Sequence, residues 1–286
     1  MLLYISRRLL LLQLLLLALS ACRSKPGYKG SLVIGIVSYD QGKQIISRYQ
    51  RFSRYLSEAL KAHVEIEPTF NETKALERIQ SQAWTLVFAP PGVAAIAISE
   101  HQYHPLFPQQ NYVDNLRSIL VVRKNSPIRE LKQLQGQSVA LGQVGSATGY
   151  YFPIYNLYGL APAEVLFAPT PKTVLDWVAE GKVTVGALST EEFNLYSPKL
   201  SSTEFRILYV DSHLVPPGVV LLGPQVNQTS QELIFNAMKS VPPNLAQEAD
   251  YVPNGAIPDY EYMISVVERV RAIATHLRDK PARLSR

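Results

Sequence analysis

The chain contains few groups that could carry covalent chemistry. Cys22 is the only cysteine among its 286 residues. The remainder therefore has no thiol for a disulfide, a zinc–thiolate site or a cysteine nucleophile. The sequence also lacks a G-x-S-x-G elbow, a Walker A loop and an H-E-x-x-H motif. These absences argue against an enzyme, and no cofactor is expected.

An excess of one charge is also missing. The chain has 28 basic and 23 acidic side chains and a formal net charge of +5, with no basic run long enough to indicate a nucleic-acid partner. His101 and His104 have a spacing that could hold a metal ion, but Pro105 and Pro108 indicate a loop. Because no third ligand lies nearby in the sequence, no metal site is predicted.

The one long apolar run lies at the N-terminus. Two arginines at 7–8 precede a stretch at 9–19 that is apolar except for Gln13, and small residues lead into Cys22. This stretch is shorter than the roughly 20 residues that a membrane-spanning helix needs, so residues 1–21 are interpreted as a cleaved secretion signal. The string ending at Cys22 resembles the bacterial lipobox, which implies a lipid on this cysteine and an extracytoplasmic location. The alternative is a short uncleaved anchor.

After the predicted signal, residues 22–30 are polar with Pro and Gly, which is typical of a flexible tether. Apolar runs then alternate with helical patterns, and this alternation predicts an α/β fold with mostly parallel sheets. Asn71 and Asp259 are candidate helix caps, and Thr229 with Glu232 forms a capping-box pattern. Strands are predicted at 32–37, 64–67, 84–89, 118–122, 138–141, 165–167, 183–188, 205–210 and 219–222. Helices are predicted at 44–60, 71–80, 93–98, 128–134, 148–158, 173–179, 229–238 and 259–277.

Two places in this pattern suit crossings between two lobes, one near 115–123 and the other near 211–218. The second lobe is then an insertion within the first. The predicted limits are 31–118 and 216–286 for lobe 1, and 119–215 for lobe 2.

The segment 136–149 is the best candidate for ligand binding. A predicted strand leads through a glycine-containing turn to Ser146, Ala147, Thr148 and Gly149 at the start of a helix. A helix N-terminus offers free backbone N–H groups and a partial positive charge, which attract anions. The serine and threonine hydroxyls add donors. The alternative is that Ser146 only caps the helix.

Adjacent acids at Glu191 and Glu192 follow the strand predicted at 183–188. They could be catalytic acids, but an exposed first turn of a helix commonly carries acids because they interact well with the helix dipole. No nucleophile–base pair accompanies them, so no catalytic residue is predicted.

Several of these segments resemble the phosphate/phosphite/phosphonate-binding family of ABC-importer substrate-binding proteins. Residues 131–153, LKQLQGQSVALGQVGSATGYYFP, are similar to the family's motif around its anion-binding helix start. The resemblance implies that Ser146 and Thr148 supply hydroxyls and that Ala147 supplies only its backbone N–H. It places Ser189 where the family usually has an acid, which weakens the case for an aminophosphonate ligand. It also makes Tyr39 the first-lobe candidate.

The resemblance implies a periplasmic-binding-protein type 2 fold, in which two lobes close on a ligand. Each lobe is then a mostly parallel sheet flanked by helices. The implied function is that of a lipid-anchored, monomeric solute-binding protein of an ABC importer. It would bind phosphate, phosphite or a phosphonate and dock on an ABC permease. Three alternatives remain: a receptor domain that partners a sensor kinase, a degenerate family member without oxyanion binding, and a secreted enzyme on the same scaffold.

Overall fold

The computed structural model describes residue 28 and residues 30–38, 42–110, 116–200 and 204–284. The predicted signal, the lipidation site Cys22 and most of the predicted tether lie outside these residues. None of the helices that the described residues form is long and apolar enough to span a membrane.

The described residues form two five-stranded sheets with helices packed around them. The first sheet contains β1 (Ser31–Val37), β2 (His63–Thr69), β3 (Leu86–Ala89), β4 (His104–Pro108) and β10 (Val219–Leu222). The second contains β5 (Ser118–Arg123), β6 (Ser138–Leu141), β7 (Glu164–Phe167), β8 (Val185–Ser189) and β9 (Phe205–Val210). The α-helices are α1 (Gly42–Leu60), α2 (Glu72–Gln80), α3 (Pro91–His101), α4 (Phe152–Asn156), α5 (Pro171–Glu180), α6 (Thr190–Tyr196), α7 (Gln228–Lys239), α8 (Pro243–Glu248) and α9 (Glu261–Ala274).

The two sheets share one plan. Their strand orders are β2-β1-β3-β10-β4 and β7-β6-β8-β5-β9. In each sheet one strand runs antiparallel to both of its neighbours, β10 in the first and β5 in the second. The chain enters the second sheet from the first through β5, and it returns to the first sheet through β10. The prediction of a two-sheet α/β fold of the periplasmic-binding-protein type is confirmed.

The amphipathic pattern of α1 places its apolar face on the first sheet. Ile45, Tyr49, Phe52 and Leu56 are buried, and their spacing of three or four residues brings them to one side of the helix. The Phe52 ring packs edge-on against Phe88 of β3 at a centroid distance of 6.0 Å. Burial of this face holds the helix against the first sheet.

Helix α3 is apolar on all sides, and its surroundings explain why. Every residue from Gly92 to Ala97 is buried, as expected for a helix enclosed by protein. One face covers the first sheet, while α9 packs on the helix from another side. One apolar cluster joins Val93 of α3, Phe152 of α4 and Val266 of α9. The halves built around the two sheets therefore share a continuous core.

Several predicted element boundaries were wrong. The helix near 229–238 is capped by Asn227, whose side chain accepts a hydrogen bond from the Ser230 amide, and not by Thr229. Strand β4 occupies the segment predicted as a loop, because its prolines lie at a sheet edge where a missing N–H is tolerated. The helix predicted at 148–158 is a π-helical turn, Ala147–Tyr151, followed by the short α4.

The C-terminal tail is bonded to the second sheet's half. The Leu284 amide donates to the Leu160 carbonyl, and the Ala282 amide donates to the Pro162 carbonyl. The predicted lobe limits stay a prediction, and these bonds attach the tail to residues predicted for lobe 2.

Candidate functional site

A cavity of about 220 Å³ lies between the two sheets. Ser38 follows β1, Pro90 follows β3 and Ser189 ends β8, and all three line the cavity. The cavity is therefore at the carboxyl ends of strands from both sheets. This is the usual position of a ligand site in an open α/β sheet.

The loop after β6 supplies one wall. Gly145 has φ +107°, a conformation that favours glycine. The Ser146 Oγ accepts a hydrogen bond from the Gly149 amide at 3.0 Å, so Ser146 does cap the helical turn. Because a serine hydroxyl has one donor and two acceptor positions, the cap leaves its proton for another partner.

Ala147 and Thr148 are buried residues of the same wall. They are 5% and 6% exposed, and both line the cavity. The Ser118 hydroxyl donates to the Thr148 carbonyl at 2.7 Å, which fixes the turn to β5. Gly149 lines a small adjoining recess instead.

Ser189 and Glu192 form a capping box at the start of α6. The Glu192 amide donates to the Ser189 Oγ at 3.0 Å, and the Ser189 amide donates to the Glu192 Oε2 at 2.8 Å. Ser189 is 4% exposed. Position 189, where the similar family motif usually has an acid, is thus hydrogen-bonded to an acid one helical turn later. The interpretation of both Glu191 and Glu192 as exposed acids is wrong for Glu192, which is only partly exposed.

Glu72 brings a carboxylate from the opposite sheet's half. It is the first residue of α2, 4% exposed, and lines the cavity. Sequence reasoning missed it because an acid directly after the Asn71 cap is typical of any helix N-terminus. Its proximity to the loop after β6 is a product of the tertiary fold.

The cavity is acidic. Glu72, Glu191 and Glu192 line it, and no Lys, Arg or His is among the described residues that do so. Burial raises the pKa of the Glu192 carboxyl from 4.5 to about 7. The hydrogen bonds from Ser189 oppose this shift, while the charges of Glu72 and Glu191 add to it.

The two halves touch directly beside the cavity. A Cβ added to Gly92 of α3 would lie 2.1 Å from the Gly145 carbonyl oxygen, so the backbones meet there without side chains between them. The Thr73 hydroxyl donates to the Gln143 Oε1 at 3.0 Å. The two halves are therefore in contact along this edge of the cavity, and the cleft between them is closed there.

The remaining sequence candidates lie elsewhere. Tyr39 is outside the described residues. His101 ends α3 and His104 begins β4, and the described part of the chain contains no group of three or more His, Cys, Asp or Glu residues that could hold a metal ion.

Comparison with known proteins identifies the family. Residues 34–253 match the family of "ABC transporter, phosphonate, periplasmic substrate-binding protein". The chain belongs to this phosphonate-binding family. No curated protein matches it.

Solved structures with 20% identity or less share the fold. The structure of XAC2383 from Xanthomonas citri bound to ATP has a TM-score of 0.69 at 20% identity, and the match covers 85% of this chain and 99% of that one. PhnD1 from Prochlorococcus marinus in complex with methylphosphonate has a TM-score of 0.65 at 18% identity, with the same coverages. The binding protein component of an ABC phosphonate transporter from Pseudomonas aeruginosa has a TM-score of 0.64 at 13% identity, covering 87% and 88%.

Membership of the phosphonate-binding family defines the general role. The chain is a periplasmic substrate-binding protein of an ABC transporter, and the family implies an extracytoplasmic location. The family comprises transporter binding proteins and not enzymes. Binding of a small ligand and association with an ABC permease are expected for its members.

Proposed function

We propose that this protein binds a small phosphorus oxyanion in the cavity between its two sheets, with a phosphonate as the favoured ligand. The observation that carries the proposal is the convergence of Ser146, Thr148 and Ser189 on one cavity between the sheets. A volume of about 220 Å³ is smaller than the roughly 300–1,000 Å³ of sites for drug-sized ligands. A ligand of a few heavy atoms suits it.

The lining also favours an organic substituent on the anion. Val37, Pro90, Pro91, Leu116 and Val215 contribute apolar surface to the cavity. A phosphonate carries a carbon substituent that can contact this surface while its oxygens face the hydroxyls. Inorganic phosphate has only oxygens, which the apolar wall would leave without hydrogen bonds.

Ligand and closure are coupled in this proposal. Ser146 and Thr148 belong to one half, whereas Ser38 and Glu72 belong to the other. A ligand that contacts both halves at once stabilises the closed arrangement relative to an open one. The closed form would then be the one that the permease recognises, held near the membrane by a lipid on Cys22.

Calorimetric titration of the full-length protein in detergent tests the ligand proposal. We expect methylphosphonate to bind, and Thr148→Val and Ser146→Ala to weaken binding, since each removes a hydrogen bond to a charged group that contributes about 1.5–3 kcal/mol. At about 100 times its dissociation constant the ligand should stabilise the protein by roughly 2.7 kcal/mol.

Ser99→Ala is the matched control, because the Ser99 hydroxyl donates to the Ala95 carbonyl within α3, at the end of the helix away from the cavity. It should leave affinity unchanged. If methylphosphonate, phosphite and phosphate all fail to bind, the protein does not have the proposed function. Unchanged affinity in both Thr148→Val and Ser146→Ala would place the ligand elsewhere.

A further inference from the structure

The negative charge of the cavity lining is difficult to reconcile with the binding of a fully deprotonated anion. Glu72, Glu191 and Glu192 line it, and the described lining residues include no Lys, Arg or His. Like charges that approach in a site of low polarity raise each other's pKa until one of them takes up a proton. A phosphorus dianion placed among these carboxylates therefore needs a proton between itself and one of them.

Glu192 is positioned to hold that proton. Its Oε2 accepts a hydrogen bond from the Ser189 amide, which holds the carboxyl at the N-terminus of α6. The second carboxyl oxygen, Oε1, is the one that would share a proton with the ligand. Loss of solvent already raises its pKa to about 7, with further increases from Glu72 and Glu191. The charged groups on the adjacent helix α5 do not offset this, because Lys172 pairs with Asp176 at 2.8 Å.

We infer that the cavity binds its oxyanion together with one proton, shared between a ligand oxygen and the Glu192 carboxyl. This inference rests on the proposed function, since it concerns how that same oxyanion is held. The proton makes Glu192 a specificity-determining residue. A phosphate monoester has a second pKa of about 6, and a phosphonate, which has carbon in place of the ester oxygen, is at least as basic, so its oxygens can share a proton near neutral pH. A sulfonate of the same shape is fully ionised and has only weakly basic oxygens.

Proton uptake on binding is the direct test. Calorimetric titrations with methylphosphonate at about pH 8, in two buffers of different ionisation enthalpy, should show about one proton taken up per ligand bound. Above the two pKa values, affinity should fall about tenfold per pH unit. Methanesulfonate, of the same shape, should bind about tenfold more weakly or worse, because it loses one charge-assisted hydrogen bond.

Glu192→Gln separates this role from a purely structural one. Glutamine keeps the capping box, which accepts Glu or Gln at this position, and its amide N–H can donate to either anion without a proton. The variant should lose proton uptake, lose the pH dependence, and bind methanesulfonate within a few-fold of methylphosphonate. Glu180→Gln is the matched control, since Glu180 is an exposed acid at the end of α5 that does not line the cavity, and it should retain proton uptake.

The outcomes separate the two proposals. Methylphosphonate binding without proton uptake in the wild-type protein overturns this inference and leaves the proposed function standing. Equal affinities for the two anions in the wild-type protein, or unchanged proton uptake in Glu192→Gln, also overturn it. Binding of neither anion at any pH between about 6 and 8, the range around the pKa values involved, overturns both proposals.

Discussion

Glu192 combines a local structural role with an unfavourable electrostatic one. It closes the capping box with Ser189, which stabilises the start of α6, and at the same time its carboxyl has lost solvent. Its folded-state pKa of about 7 lies above the ordinary value of 4.5. The folded protein therefore holds this proton more tightly than the unfolded chain does.

This shift predicts how stability depends on pH in the ligand-free protein. The protonated Glu192 carboxyl contributes to the free energy of unfolding. This contribution is fully present below about pH 4.5 and is lost as the pH rises through about 7. In Glu192→Gln no proton is lost, so its free energy of unfolding should exceed that of the wild type by roughly 1–3 kcal/mol at about pH 8 and by much less in acid. Urea denaturation at the two pH values measures this. An equal difference at both would contradict the shifted pKa, and the control Glu180→Gln, at an exposed acid away from the cavity, should show little pH dependence.

At the scale of elements, the closed cleft depends on a contact between two backbones. Helix α3 presents Gly92 to the loop after β6, where Gly145 has the positive φ that makes its carbonyl available. The small residues of α3 let the halves approach here, while α9 covers the helix from another side. Closure is therefore sensitive to volume at this one position.

Gly92→Ala should impair closure. Its Cβ would lie 2.1 Å from the Gly145 oxygen and 2.8 Å from the Ala147 nitrogen, so the halves must separate. Overpacking of this kind costs about 1–3 kcal/mol, and affinity for methylphosphonate should fall about tenfold or more. Alanine improves helix propensity at the same time, which keeps the helix intact. Affinity equal to that of the wild type in a calorimetric titration would show that the bound state does not need this contact.

At the scale of the whole molecule, the chain crosses between its sheets twice, into β5 and back into β10. The C-terminal helix α9 then packs on both α3 and α4, and the tail bonds to the segment before β7. Motion between the halves must therefore shift the apolar contacts of α9 with α3 and α4. It must also bend the two segments by which the chain crosses between the sheets. The lipid proposed on Cys22 would hold this arrangement near a permease.

The anchor leads to a prediction about location. Cells expressing the wild-type chain should carry the protein in the membrane fraction, and lipid should be detectable on Cys22 by mass spectrometry of the N-terminal peptide. Cys22→Ser should abolish the lipid and, after any cleavage, shift the protein towards the soluble extracytoplasmic fraction. A wild-type protein that lacks the lipid would contradict the interpretation of residues 1–22. Methylphosphonate binding by the detergent-purified Cys22→Ser variant should be unchanged.

Local sequence determined most of the elements. The strands Ser138–Leu141 and Phe205–Val210 have the predicted bounds, because their apolar runs are short and end at breakers. Asn71 caps its helix as predicted, since a cap depends on residues only three apart. The candidate anion-binding segment was identifiable for the same reason: strand, turn and helix start follow each other along the chain.

The tertiary structure alone decided the character of the cavity. Glu72 and Glu192 are 120 positions apart, and both look like ordinary first-turn acids until two sheets place them on one cavity. The raised pKa of Glu192 follows from the burial that this arrangement produces, and burial is not encoded in any short window of sequence. Likewise, the meeting of Gly92 with Gly145 depends on how the halves pack. Spacing along the chain determines hydrogen bonds over a few residues, whereas desolvation and steric contact depend on everything that surrounds a group.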